Sequence, residues 1–222
     1  SQDEGNVVSR IEQHVVRAHA MDKIEMLARI LQAEGRGPTI VFCRTKRACQ
    51  KTSDDLIERG FRAATLHGDM GQAAREKALN EFKDGKSDVL IATDVAARGI
   101  DIDGITHVIN YQCPEDEKTY VHRIGRTARA GADGIALTFV DWDDLARWKM
   151  IDMALKLGLP EPVETYSSSE HLFEIMKIPA GSTGRMDKPR KAAPARDKAE
   201  KSGTAAAPRQ KRERVRTKKI SS

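Results

Sequence analysis

Val89-Leu-Ile-Ala-Thr-Asp-Val-Ala-Ala-Arg-Gly-Ile-Asp-Ile102 begins as a short apolar run and ends in polar residues around a turn of small ones. It reads as a buried strand that delivers its polar end to a ligand. In α/β sheets ligands gather outside the carboxyl ends of parallel strands, so Thr93, Asp94, Arg98 and Asp101 become candidates for a binding edge. Outward from this run, strands are expected at 11–17, 38–43, 61–66, 106–111 and 134–140. Helices are expected at 21–33, at 45–59 with Thr45 as its cap, at 71–83, from 116 to about 126, and at 143–157 ending at Gly158. Strand and helix alternate, which predicts an α/β fold with a mostly parallel sheet, and the apolar, β-branched strands fit burial on both faces. Residues 160–179 read as irregular, yet Leu172, Phe173, Ile175, Met176 and Ile178 are too apolar for a pure linker and should dock on the domain or on a partner.

The second informative stretch is Tyr120-Val-His-Arg-Ile-Gly-Arg-Thr-Ala-Arg-Ala-Gly131, with Arg123, Arg126 and Arg129 three residues apart and little nearby in sequence to neutralise them. Guanidinium stays charged at physiological pH and offers a planar fork of donors that fits phosphoryl oxygens. At helical spacing the three would share one loose face. Gly125 leaves room for a close backbone approach, and the acidic run Glu115-Asp-Glu117 suits the first turn of the same helix. Further phosphate-facing candidates are His67 and Gly68, which come after an expected strand and precede a helix, where a backbone amide can reach a phosphate.

Of the 222 residues, 39% are hydrophobic and 32% charged, enough for one α/β domain with extensions. No apolar run approaches membrane length and no signal peptide is visible, which favours a cytoplasmic protein. Cys43, Cys49 and Cys113 read as reduced and structural, and the scattered histidines give no metal-site spacing. The net charge of +5 hides a division: residues 180–222 carry 14 Lys or Arg against four acids, leaving 24 basic and 29 acidic groups in 1–179. The basic tail, with almost no large apolar residue after Met186, is expected to be disordered. It serves either as an arm that binds nucleic acid through counterion release or as a solubilising tail.

The pairing of ATDVAARGID with YVHRIGRTARAG, about twenty residues further on, resembles the second RecA-like domain of DEAD-box ATP-dependent RNA helicases, of bacterial RhlE-like type, over roughly residues 7–158. The resemblance implies a RecA-like three-layer domain at 21–158, preceded by an interdomain linker and first strand at 1–20, with an extended segment at 159–179 and the tail at 180–222 after it. It implies that Arg126 and Arg129 reach the γ-phosphate of ATP on the partner domain, with Arg129 as arginine finger, and that Asp101 bonds the ribose hydroxyls. It implies RNA-backbone contacts from Arg44, Thr45, His67, Gly68, Gln72, Arg75 and Thr93, and interdomain coupling through Asp94, Arg98, His122 and Arg123. Bland alternatives stand beside several of these: Asp69 and Gln72 have capping-box spacing, Arg75 suits an ordinary surface, His122 suits a structural histidine and Asp101 suits a turn. One departure is visible, since Ala128 stands where the family usually writes the second glycine of HRIGRTGR.

Neither a GxxxxGK[ST] phosphate loop nor an Asp-Glu-Ala-Asp run occurs in these residues. The chain therefore reads as one wall of a composite site, a monomer whose partners are RNA and the N-terminal RecA-like domain of the same enzyme, with no membrane involved. ATP would be the cofactor, its Mg2+ held by that N-terminal domain. The isolated chain is expected to be inactive, and the whole enzyme to unwind RNA locally with ATP. Two other readings remain open, a stand-alone RNA-binding module and half of a DNA-directed helicase.

Overall fold

β4 (Val89–Thr93) sends Val89 and Ile91 into one apolar cluster and Leu90 and Ala92 into another. A strand buried on both faces needs helices on both sides. A computed structural model, describing Gly5 and residues 8–186, supplies them. The other strands are β1 (Ile11–Ala18), β2 (Thr39–Cys43), β3 (Ala63–Leu66), β5 (His107–Asn110), β6 (Gly134–Val140) and β7 (Val163–Thr165). They form one seven-stranded sheet in the order β3-β4-β2-β5-β6-β1-β7, with every pairing parallel. All the strands therefore end on one edge, and the turns that leave them line that edge together.

The helices are α1 (Lys23–Ile30), α2 (Lys46–Glu58), α3 (Gln72–Lys83), α4 (Glu117–Ile124), α5 (Leu145–Leu155) and α6 (Glu170–Met176). On one face Met26, Leu27, Cys49 and Leu56 of α1 and α2 pack on Val41, Ile91 and Ile109. On the other, Ala78 and Phe82 of α3 cover β3 and β4, while Tyr120, Ile124, Trp148 and Ile151 of α4 and α5 cover Ala136 and Val140. This is the three-layer RecA-like arrangement. Thr45 caps α2 by accepting from the Ala48 amide at 3.1 Å, as its position in the sequence predicts.

The segment 160–179 is not the irregular stretch expected. β7 pairs with β1, Val16 opposite Val163, and α6 lays Leu172 and Met176, with Ile178 just after it, into the same cluster as Met26 and Leu27. A three-residue strand and a seven-residue helix are too short to show a period, so only their apolar content was legible. The chain stays ordered past 180: Gln32 donates to the Thr183 carbonyl at 2.6 Å, Arg59 to the Gly184 carbonyl at 2.8 Å, and the Met186 amide to the Arg59 carbonyl at 2.8 Å. The remaining tail, 187–222, lies outside the described residues. Because Leu172 is wholly buried, Leu172→Ala should destabilise the domain by about 3 kcal/mol in urea unfolding. An unchanged midpoint would mean that α6 is not part of the core.

Candidate functional site

α4 starts under an aspartate cap, Asp116 accepting from the Thr119 amide at 2.7 Å, and stops at Ile124 with Gly125 as C-cap. A side chain on Gly125 would press on the Val121 carbonyl, so the close approach expected there is to the helix's own last turn rather than to a ligand. The helix is shorter than the expected 116–126, and the three arginines do not share a face. Nor are they without counter-groups. Each meets the turn after β4, and the pairings span too much sequence for local pattern to reveal.

Arg123 is buried, 1% exposed, with Nε and Nη2 donating to the two oxygens of Asp94 at 2.7 and 2.8 Å. Its Nη1 donates to the Gln112 carbonyl at 2.8 Å, and its guanidinium lies 5.4 Å from the Phe42 ring centroid. Arg126 is half-buried and donates to the Ile100 carbonyl at 2.9 Å and the His122 carbonyl at 3.2 Å. Burial first, and then the neighbouring Arg129, pull its pKa below the ordinary guanidinium value, against the opposing pull of Asp101. A partly desolvated cation beside another cation favours an incoming anion. Arg129 reaches Asp101 at 2.7 Å, but the two side chains are 35% and 84% exposed, so this ion pair contributes little to stability and is easily exchanged.

Between Arg126 and Arg129 the backbone turns left-handed, Ala128 at φ 55° and, one residue beyond Arg129, Ala130 at φ 56°. A Cβ in this region costs about 1 kcal/mol, which is why glycine suits the position that Ala128 fills. Its methyl is buried among the apolar residues of α4 and α5.

A cleft bounded by Asp94, Arg98, His122, Arg123 and Arg126 holds about 100 Å³. His122 and Arg98 are exposed at its rim, while Thr93 is buried at the end of β4. A neighbouring hollow of about 210 Å³ is bordered by Arg75, Lys83, Arg98 and Asp101. Arg75 is half-buried and donates to the Ala96 carbonyl at 3.4 Å, so it is tied to the turn after β4 rather than loose on the surface.

The other candidates gather at the ends of β2 and β3. The capping-box reading of Asp69 and Gln72 does not hold: Gly71 is the N-cap of α3 with no side-chain bond, Gln72 donates to Glu76 at 3.2 Å, and Asp69 pairs with Lys46 at 2.7 Å. That pair joins the turn after β3 to the start of α2. His67 bonds Gln50 at 3.1 Å, and the space around Gly68 is open. Thr45 is exposed, whereas the Arg44 amide donates to Gln112 at 2.6 Å and its side chain to the Cys113 carbonyl at 2.7 Å and to Asp144 at 3.3 Å. Gln112 and Asp144, which hold Arg44 and Arg123 in place, had no signal in the sequence because their partners are remote. Burial pushes the Cys43 thiol up to about 11 and the Cys49 and Cys113 thiols up to about 12, which makes all three poor nucleophiles.

Fold and site together define a RecA-like helicase domain. The profile of the helicase conserved C-terminal domain matches residues 22–131. The ATP-dependent RNA helicase CshA of Listeria monocytogenes is 48% identical over 146 residues, 66% of this chain and 28% of that protein. The solved C-terminal domain of the DEAD-box protein Dbp5 is 31% identical with a TM-score of 0.66, covering 77% of this chain and 98% of that one. Dbp5 of S. cerevisiae bound to RNA and ADP BeF3 gives 31% and 0.63, covering 75% and 44%. The chain belongs to the DEAD-box RNA helicase family, as its C-terminal helicase domain. It spans less than a third of the length of the CshA relatives it matches.

Proposed function

We propose that the chain works as the C-terminal half of an ATP-dependent RNA helicase that separates short duplexes locally. One observation carries this reading: Arg126 and Arg129 sit side by side at the carboxyl edge of the sheet, one partly desolvated and the other held by an exposed Asp101. ATP bound to an N-terminal RecA-like domain would bring its γ-phosphate to these arginines and its ribose hydroxyls to Asp101. Arg129 then exchanges Asp101 for phosphate while Asp101 exchanges Arg129 for the ribose, so neither charge is stranded during closure. Mg2+ would be held by the N-terminal domain and would neutralise phosphate charge there.

Asp94 and Arg123 lock the turn after β4 to α4, so movement at the nucleotide is passed to the RNA side, where Arg44, Thr45, His67, Gly68, Gln72, Arg75 and Thr93 would meet the backbone. Arg98 and His122, exposed at the cleft rim, would meet the other domain. The Dbp5 structure bound to RNA and ADP BeF3 supports the pairing of ligands. No helix among the described residues is long and apolar enough to cross a membrane, which is compatible with a cytoplasmic enzyme. The RhlE-like type, the monomeric state and RNA binding by the basic tail belong to the same proposal.

RNA-stimulated ATPase tests it. The chain alone should be inactive and should become active when joined to a phosphate-loop domain upstream. RNA should stimulate more than DNA of the same sequence. Silence of the joined enzyme would favour a stand-alone RNA-binding module instead.

A further inference from the structure

We propose that the exposed rings of Trp142 and Tyr166, backed by Arg17 and His19, form a platform on which a base of single-stranded RNA stacks; this rests on the RNA-helicase reading above and extends the RNA path beyond the motif residues. All four side chains lie at the carboxyl edge of the sheet. Arg17 is near the end of β1 and His19 just past it, Trp142 comes after β6 and Tyr166 after β7. His19 stacks on Tyr166 with centroids 5.1 Å apart and planes 14° apart, and stands 6.0 Å from Trp142. The Arg17 guanidinium lies 3.8 Å from the Trp142 ring centroid. Trp142 nevertheless remains 50% exposed and Tyr166 44%, which leaves a large aromatic surface open to solvent.

The platform is continuous with the proposed RNA contacts. Trp142 opens the short turn that ends at Asp144, and Asp144 binds Arg44, the neighbour of Thr45. From β2 to β6 is two strand spacings, about 10 Å. Exposed aromatic faces beside a guanidinium are what single-stranded nucleic acid uses wherever bases, rather than phosphates, are held. Three carboxylates of the patch do not oppose this, because they are engaged internally. Glu164 accepts from Tyr166, His19 and Arg17 at 2.6, 3.0 and 3.1 Å, Asp141 pairs with Lys23 at 3.1 Å, and Asp144 holds both Arg44 and Arg147. The exposed Asp143 beside Trp142 would instead favour a cationic peptide, which the test separates.

The chain has two tryptophans, and Trp148 is wholly buried, so quenching by a bound ring reports Trp142. Titration of the full chain with a short oligoadenylate at low salt should quench this emission. Trp142→Ala and Tyr166→Ala should each weaken oligoadenylate binding about tenfold, read by anisotropy, with an unchanged melting temperature. RNA binding without quenching, and with wild-type affinity in Trp142→Ala, would overturn the platform and leave the helicase reading intact. Quenching by an arginine-rich peptide but not by RNA would also overturn it, in favour of a protein partner. No RNA binding by any variant, at any salt, would remove both the platform and the reading beneath it.

Discussion

Arg129→Ala, placed in the enzyme that joins this chain to its phosphate-loop domain, is expected to lower ATP turnover about a thousandfold or more while leaving the fold intact. The size comes from what an arginine finger supplies to the charge that develops on a transferring phosphoryl group. The intact fold comes from the geometry, because the ion pair that Arg129 makes is to an Asp101 that is almost fully exposed. Arg129→Lys should recover little, since an ammonium offers no fork. ATP affinity measured by fluorescent-nucleotide titration should fall far less than turnover, because in the proposed enzyme the contact would form only as the domains close. Turnover of the wild-type order in Arg129→Ala would sink the finger assignment.

Arg123→Ala should do the opposite. Its guanidinium is buried and makes two bonds to Asp94 and one to the Gln112 carbonyl, so truncation leaves a carboxylate and a carbonyl without their donor. Breaking a buried pair costs several kcal/mol, and the partial exposure of Asp94 puts this one at the lower end, about 3 kcal/mol. For a domain of this size that is a melting-temperature drop of about 10 °C. A variant that melted with the wild type would show that the pair is dispensable and that Arg123 acts in coupling alone.

The alternation of strands and helices was open to reading because each central strand is a short apolar run closed by polar residues, as in Val89 to Thr93. The carboxyl-edge position of Thr93, Asp94 and Asp101 came from that alternation. The counter-ions of the arginines did not, because Asp94 with Arg123 and Asp101 with Arg129 are pairings across the sheet that local spacing does not encode. Gly125 carries a stop signal, glycine at a helix end, which in the sequence competes with its reading as room for a ligand; the structure decides for the stop. The aromatic group at Trp142 and Tyr166 was invisible, since its members come from three strand ends far apart in sequence.

β7 has a consequence for how the chain behaves in crowded solution. It is only three residues long, and Pro162 and Pro160 just before it carry no amide hydrogen with which to lengthen it. Such a stub occupies the last residues of β1 while offering almost no template to another molecule, which is how natural sheets blunt an edge against intermolecular pairing. A chain cut at Gly158, where sequence pattern alone ends the domain, would uncover the Val16–Ala18 end of β1 and the apolar seat of α6 together, and self-association rather than simple unfolding would be its failure mode.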